Sequence, residues 1–115
     1  MEYEKLCRDV LDIDKKIRFA AIYNSKIEQI AGGMRKGVEN LTPESITKLS
    51  VEQSFMRWHT RLEMNEWIGM PKYALAEYDR IKRFTFHINH EKLLLISTEL
   101  DISNDFLIEK VRKLI

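Results

Sequence analysis

The sequence predicts an α+β fold of the order α-ββ-α-βββ-α, a five-stranded, mostly antiparallel sheet with a long central helix and terminal helices packed on it. Three observations predict it. Short apolar runs punctuated by turn residues fall into two groups, residues 17–31 and 73–98. Between them, no glycine or proline interrupts the chain from Glu44 to Ile68. Helically spaced apolar residues occupy both ends. Hairpin groups separated by a helix stack helices on an antiparallel sheet.

The elements follow in order. Tyr3, Leu6, Cys7, Val10 and Leu11 recur at helical spacing, giving one apolar stripe on a helix that ends near Asp12 to Asp14. Cys7 lies on that stripe and reads as a small buried hydrophobe. Ile17 to Tyr23 reads as a strand, Asn24-Ser25-Lys26 as turn chemistry and Ile27 to Ala31 as the returning strand. Gly32 and Gly33, at that strand's end, suggest a bulge or a close backbone approach.

Thr42-Pro43-Glu44 supplies an N-cap residue, a proline at the first helical position and an acid in the first turn. Gly69 fits a left-handed C-terminal cap and Pro71 blocks continuation. The expected helix runs from 43 to 68, about 39 Å at the α-helical rise, with a kink or early end near Asn65 as the alternative. Tyr73 to Tyr78 reads as a strand with small residues on one side. Phe84, Phe86 and Ile88 alternate with Thr85, His87 and Asn89, the period of a half-buried strand. Asn89-His90-Glu91 fits a hairpin loop. Leu93 to Thr98 is continuously apolar, as for a central strand covered on both faces. Ser103 is the expected N-cap of a last helix carrying Phe106, Leu107, Val111, Leu114 and Ile115. With 115 residues and no linker, residues 1–115 read as a single domain.

The long helix carries more apolar surface than one sheet needs. Val51, Phe55, Trp58 and Leu62 share one narrow face. Ile46, Leu49, Met56, Met64 and Trp67 form a second band on roughly the opposite side, diluted by Gln53, Arg57 and Thr60. Either the terminal helices cover that band or another subunit does. The short terminal helices have stripes of their own to bury, which favours a subunit. The expected interface is therefore Ile46, Leu49, Gln53, Met56, Arg57, Met64 and Trp67.

Composition narrows the function. Nineteen basic residues against 18 acidic ones leave a net charge of +1, unlike a general nucleic-acid binder. One cysteine and no signal or membrane-length apolar run suggest a cytoplasmic protein. No catalytic triad pattern is present. His87-x-x-His90 has ligand-like spacing, but no other residues complete a metal site. Gly32-Gly33-Met34-Arg35-Lys36-Gly37 lacks the order of a phosphate loop. Glu63 and Glu66, beside Arg57, His59 and Arg61, read as a solvated, ion-paired face. Arg80, Lys82 and Arg83, flanked by Tyr78 and Phe84, form a small basic-aromatic cluster. No enzyme activity, metal or cofactor is expected.

Two stretches carry a likeness. Phe19 to Ala31 resembles the first hairpin of the roadblock/dynein-light-chain family, relatives of the longin and profilin-like folds. Leu93 to Thr98, followed by Phe106 to Val111, resembles that family's last strand and last helix. The turn here lacks the Asp-Gly often found in the family, and the central helix is longer and more aromatic. The resemblance implies a non-enzymatic, dimeric platform or regulator for small GTPases or motor complexes, with no catalytic residues to carry over. Met56 to Arg61, Ile68-Gly69 and Lys72-Tyr73 also resemble uncharacterised small proteins of ammonia-oxidising archaea.

The expected function is accordingly a non-enzymatic interaction module forming a homodimer, with a small GTPase or another protein as a further partner. The alternative is a sensor of profilin- or PAS-like type, binding an apolar ligand in a pocket lined by Tyr73, Tyr78, Phe84 and Phe86.

Overall fold

The computed structural model describes residues 2–89 and 91–115. Helix α1, Tyr3–Leu11, starts where the Glu2 carboxylate accepts from the backbone N–H groups of Glu4 and Lys5 at 2.9 and 3.0 Å. It buries Leu6, Cys7 and Val10. Strand β1, Ile17–Asn24, turns into β2, Gln29–Met34, around the Asn24 side chain, which accepts from the N–H groups of Lys26 and Glu28. Strand β2 thus starts two residues later than expected and runs through Gly32 and Gly33 instead of stopping before them. Gly32 pairs with Ala21 at a positive φ of 84°. A Cβ there would lie 2.1 Å from the Ala20 oxygen and 2.8 Å from Cys7 Sγ. Glycine therefore serves close strand and helix packing here, not strand termination.

Helix α2 spans Glu44–Leu62 and the one-turn α3 spans Asn65–Ile68. The expected continuous helix is broken at Glu63 and Met64, the early end left open near Asn65. Pro43 occupies the cap position itself and Glu44 is the first helical residue. The Thr42 hydroxyl instead meets that of Thr47 at 2.7 Å. Gly69 closes α3 at φ 88°, its N–H donating to the Asn65 carbonyl.

Strands β3, Tyr73–Glu77, β4, Lys82–Asn89, and β5, Lys92–Thr98, complete the sheet. The β4–β5 loop expected at Asn89-His90-Glu91 includes His90, which lies outside the described residues. Helix α4, Asn104–Leu114, is capped by Ser103, whose hydroxyl accepts from the Phe106 N–H at 3.2 Å. Leu107 and Val111 are its buried residues; Phe106, Leu114 and Ile115 of the expected stripe are each more than a third exposed.

The strand order is β2-β1-β5-β4-β3, with every described pairing antiparallel. The apolar run of β5 thus sits at the centre, as expected. The period of two sends Leu94 and Ile96 to one face and Leu93 and Leu95 to the other. Helices α1 and α4 cover the first face, with Phe84, Phe86, Leu107 and Val111 in its core. Helix α2 lies on the second, where Val51 and Trp58 meet Ala21, Tyr23, Leu93 and Leu95. No described helix is long and apolar enough to cross a membrane.

Candidate interaction surface

Helix α2 uses only a narrow face on the sheet. Val51, Ser54 and Trp58 are buried, with Phe55 and Leu62 packed at the margin. The opposite band faces outward: Ile46, Leu49 and Met56 are 49%, 51% and 59% exposed, and Gln53 and Arg57 are exposed with them. Met64 stays half exposed, and on α3 Trp67 is 77% and Ile68 74% exposed. Helices α1 and α4 pack on the other side of the sheet, so neither covers this band. Scattered apolar residues are ordinary on a surface; a run of large ones including tryptophan marks a contact site.

Edge strand β3 lines one groove with Arg57 of that band. The Tyr78 N–H donates to the Ile81 carbonyl at 2.8 Å, just beyond the strand. Antiparallel alternation then directs the backbone groups of Ala74 and Ala76 toward β4 and those of Tyr73, Leu75 and Glu77 away from the sheet. Among the described residues no side chain meets these outward groups. Tyr73 and Leu75 are themselves about 40% exposed, and Tyr73 leans on the core ring of Phe86 with centroids 5.8 Å apart. An unpaired strand edge beside apolar side chains is a template for another chain.

Between α2 and the β3–β4 pair runs a groove of about 70 Å³. Arg57 and Arg61 of α2 and Arg83 of β4 line it with Ser54, Ala74, Ala76 and Thr85. The Arg83 guanidinium donates to the Ser50 hydroxyl, and that of Arg61 lies 5.4 Å from the centre of the Trp58 ring. Trp58 in turn stacks on His87 at 5.9 Å, and its buried indole N–H has no acceptor among the described residues. Burial raises the pKa of the nearby Tyr23 hydroxyl, with the positive charge of Arg83 opposing that rise.

Several sequence expectations fall here. Among the described residues Glu63 and Glu66 form no ion pair with Arg57, His59 or Arg61, so the ion-paired face is absent. The basic-aromatic cluster divides between the faces of the sheet. Lys82 is buried, its ammonium donating to the Ile102 carbonyl at 2.7 Å and to Asn104 Oδ1 at 2.6 Å, whereas Arg83 faces α2. Arg35 of the glycine-rich stretch points inward and donates to the carbonyls of Ile17, Asp14 and Leu11, while Lys36 is exposed. The four aromatics of the sensor reading do not gather around a pocket: Phe84 and Phe86 are sealed in the core while Tyr73 and Tyr78 are exposed. The metal reading of His87 and His90 needs a residue outside those described, and no described cluster of His, Cys, Asp or Glu could hold a metal ion. Cys7 is buried, and its thiol is pushed up to about 11 by burial and by the negative charge of Glu4.

The layered arrangement recurs in solved structures. The gliding protein MglB of Thermus thermophilus superposes with a TM-score of 0.75 over 96% of this chain and 80% of its own, at 10% identity. The chain has a roadblock-like fold. A Roadblock/LC7 domain of Streptomyces avermitilis gives a TM-score of 0.72 over 99% of this chain and 92% of its own, at 10% identity. MglB in a tetrameric arrangement gives 0.74 over 97% and 83%, also at 10% identity. At such identities the likeness is one of fold. No family model and no curated protein matches the chain, and nothing among these findings supports the likeness to archaeal proteins. Of the residues the sequence put forward as an interface, Ile46, Leu49, Gln53, Met56 and Arg57 lie on α2, Met64 between the two helices and Trp67 on α3. That interface reading named no residue of β3, which lies at the open edge of the sheet. Its signal was the alternation of small and large residues in Tyr73-Ala74-Leu75-Ala76, which leaves alanines toward α2 and the larger side chains on the other face.

Proposed function

We propose that this chain is a non-enzymatic interaction module that works as a homodimer and serves as a platform or regulator for a further protein, a small GTPase being the partner implied by the roadblock resemblance. The observation that carries this reading is the outward apolar band of Ile46, Leu49, Met56, Met64 and Trp67, with Gln53 and Arg57 among them, lying beside the open edge of β3. Interfaces favour this mixture of tryptophan, methionine and arginine around an apolar centre. The tetrameric arrangement recorded for one MglB structure adds that this fold can self-assemble.

The test is the mass in solution, by sedimentation or light scattering, of the parent chain and of Met56→Glu and Trp67→Glu. The parent is expected to be a dimer. Because both side chains are mostly exposed, each variant should keep its fold while dimer affinity falls roughly tenfold to a hundredfold, the worth of one large buried side chain. A parent that stays monomeric at every concentration, or variants with unchanged mass, would overturn the homodimer.

A further inference from the structure

The groove between α2 and β3–β4 concentrates positive charge that nothing in the described chain neutralises. Arg57, Arg61 and Arg83 line it, yet among the described residues no carboxylate pairs with any of them. Two of the other arginines do have carboxylate partners: Arg18 meets Glu99 at 2.9 Å and Arg8 lies 3.8 Å from Glu2. The groove arginines are instead held by neutral groups. Ser50 accepts from Arg83, and the Trp58 ring lies under Arg61. Such contacts fix the guanidinium planes without cancelling their charge. Ser54 and Thr85 add hydroxyls to the lining.

We propose that this groove is an oxyanion site that takes one phosphoryl group. Guanidinium forks bind phosphate and carboxylate oxygens in pairs, and the phosphoryl group offers three terminal oxygens where a carboxylate offers two. Three arginines lining one groove therefore suit the phosphoryl group better. A groove of about 70 Å³ has room for one tetrahedral group, and whatever that group is attached to would lie outside it. The alanines of β3 leave this space open, since a larger residue at Ala76 would fill it. Arg57 is shared with the apolar band, whereas Arg61 and Arg83 are not, so loss of binding in Arg83→Gln reports on the groove and not on an interface.

The full chain is titrated with inorganic phosphate and, separately, with glycerol 3-phosphate, following the arginine Nε–H signals by NMR. Sodium chloride at matched ionic strength and sodium acetate serve as controls. Saturable shifts at Arg57, Arg61 and Arg83 with phosphate or the ester, and neither with chloride nor with acetate, are expected. Binding of orthophosphate alone identifies a free ion as the source, and binding of the ester identifies an esterified group. Arg57→Gln combined with Arg61→Gln should weaken binding at least about tenfold, and Arg83→Gln should do the same. Should Arg83→Gln fail to fold, the helix-surface double variant decides. Shifts that never saturate, that chloride or acetate reproduces, or that survive in the double variant overturn the proposal.

Discussion

The two edges of the sheet meet the same physical problem differently. At the β2 edge, the Gly32 N–H donates to the Glu4 carboxylate at 2.9 Å and the Gly32 carbonyl accepts from Gln29 Nε2 at the same distance. Helix α1, which carries Glu4, packs against this edge through Cys7. At the β3 edge, Tyr73, Leu75 and Glu77 present outward backbone groups that meet no side chain among the described residues. Beside them stands the apolar band of α2 and α3. An edge that a chain closes with its own side chains is blunted against other chains. An edge left open beside tryptophan and methionine is suited to a second chain. The pair of edges separates what the fold uses to hold itself from what it offers outward.

The largest effect should come from breaking the closed edge. Gly32→Ala places a Cβ against backbone at a positive φ, and should cost more than about 3 kcal/mol or prevent folding, as read by chemical denaturation. A stable variant would show that β2 does not approach β1 and α1 so closely. At the open edge, two neighbouring prolines should differ. Ala76→Pro removes an N–H directed at β4 and should cost about 3 kcal/mol. Leu75→Pro removes an outward N–H and should cost within about 1 kcal/mol in the monomer while weakening self-association. Equal losses from the two would refute the register that leaves Leu75 pointing outward.

A smaller effect is expected at Glu4. Glu4→Ala strips the acceptor from Gly32 at a site water can reach, so urea unfolding should show a loss of about 0.5–1 kcal/mol. If the exposed edge then pairs with other chains, the variant should also form higher oligomers. The smallest test concerns Cys7. Its folded pKa, about 11, lies above the ordinary 9.0, so the unfolded chain gives up the thiol proton first. The stability that the neutral thiol preserves is fully present below pH 9 and is lost as the pH rises toward 11. The parent chain should therefore lose more stability across that interval than Cys7→Ala; parallel profiles would remove the thiol from the packing at the closed edge.

Much of this was legible because local rules and tertiary demands agree. Asn24 organises the first hairpin, Ser103 caps α4, and the Leu93 to Ile96 run reads as a strand covered on both faces. The two faces of α2 were legible from the same period. Other features depend on spatial neighbours. Gly32 reads as the end of a strand until Ala20 and Cys7 are seen against it. The break at Glu63 and Met64 lacks a glycine or proline to announce it. Lys82 and Arg83 look like one basic cluster, but adjacent strand residues point to opposite faces, and one is buried under α4 while the other lines the groove. In the candidate surface the residues of the long helix came from periodicity, whereas placing β3 at the sheet's open edge required the strand order.

The sheet order has a consequence for how the chain is made. Strand β1 pairs with β5, joining Ile17 to Thr98, and the central strand of the sheet is the last to be synthesised. The first hairpin must therefore wait, with the β5-facing edge of β1 unpaired, until residues 92–98 have left the ribosome. Contacts so distant in sequence slow folding and lengthen the exposure of apolar strands. Chaperone dependence and sensitivity to translation rate should accordingly be greatest before residues 92–98 emerge.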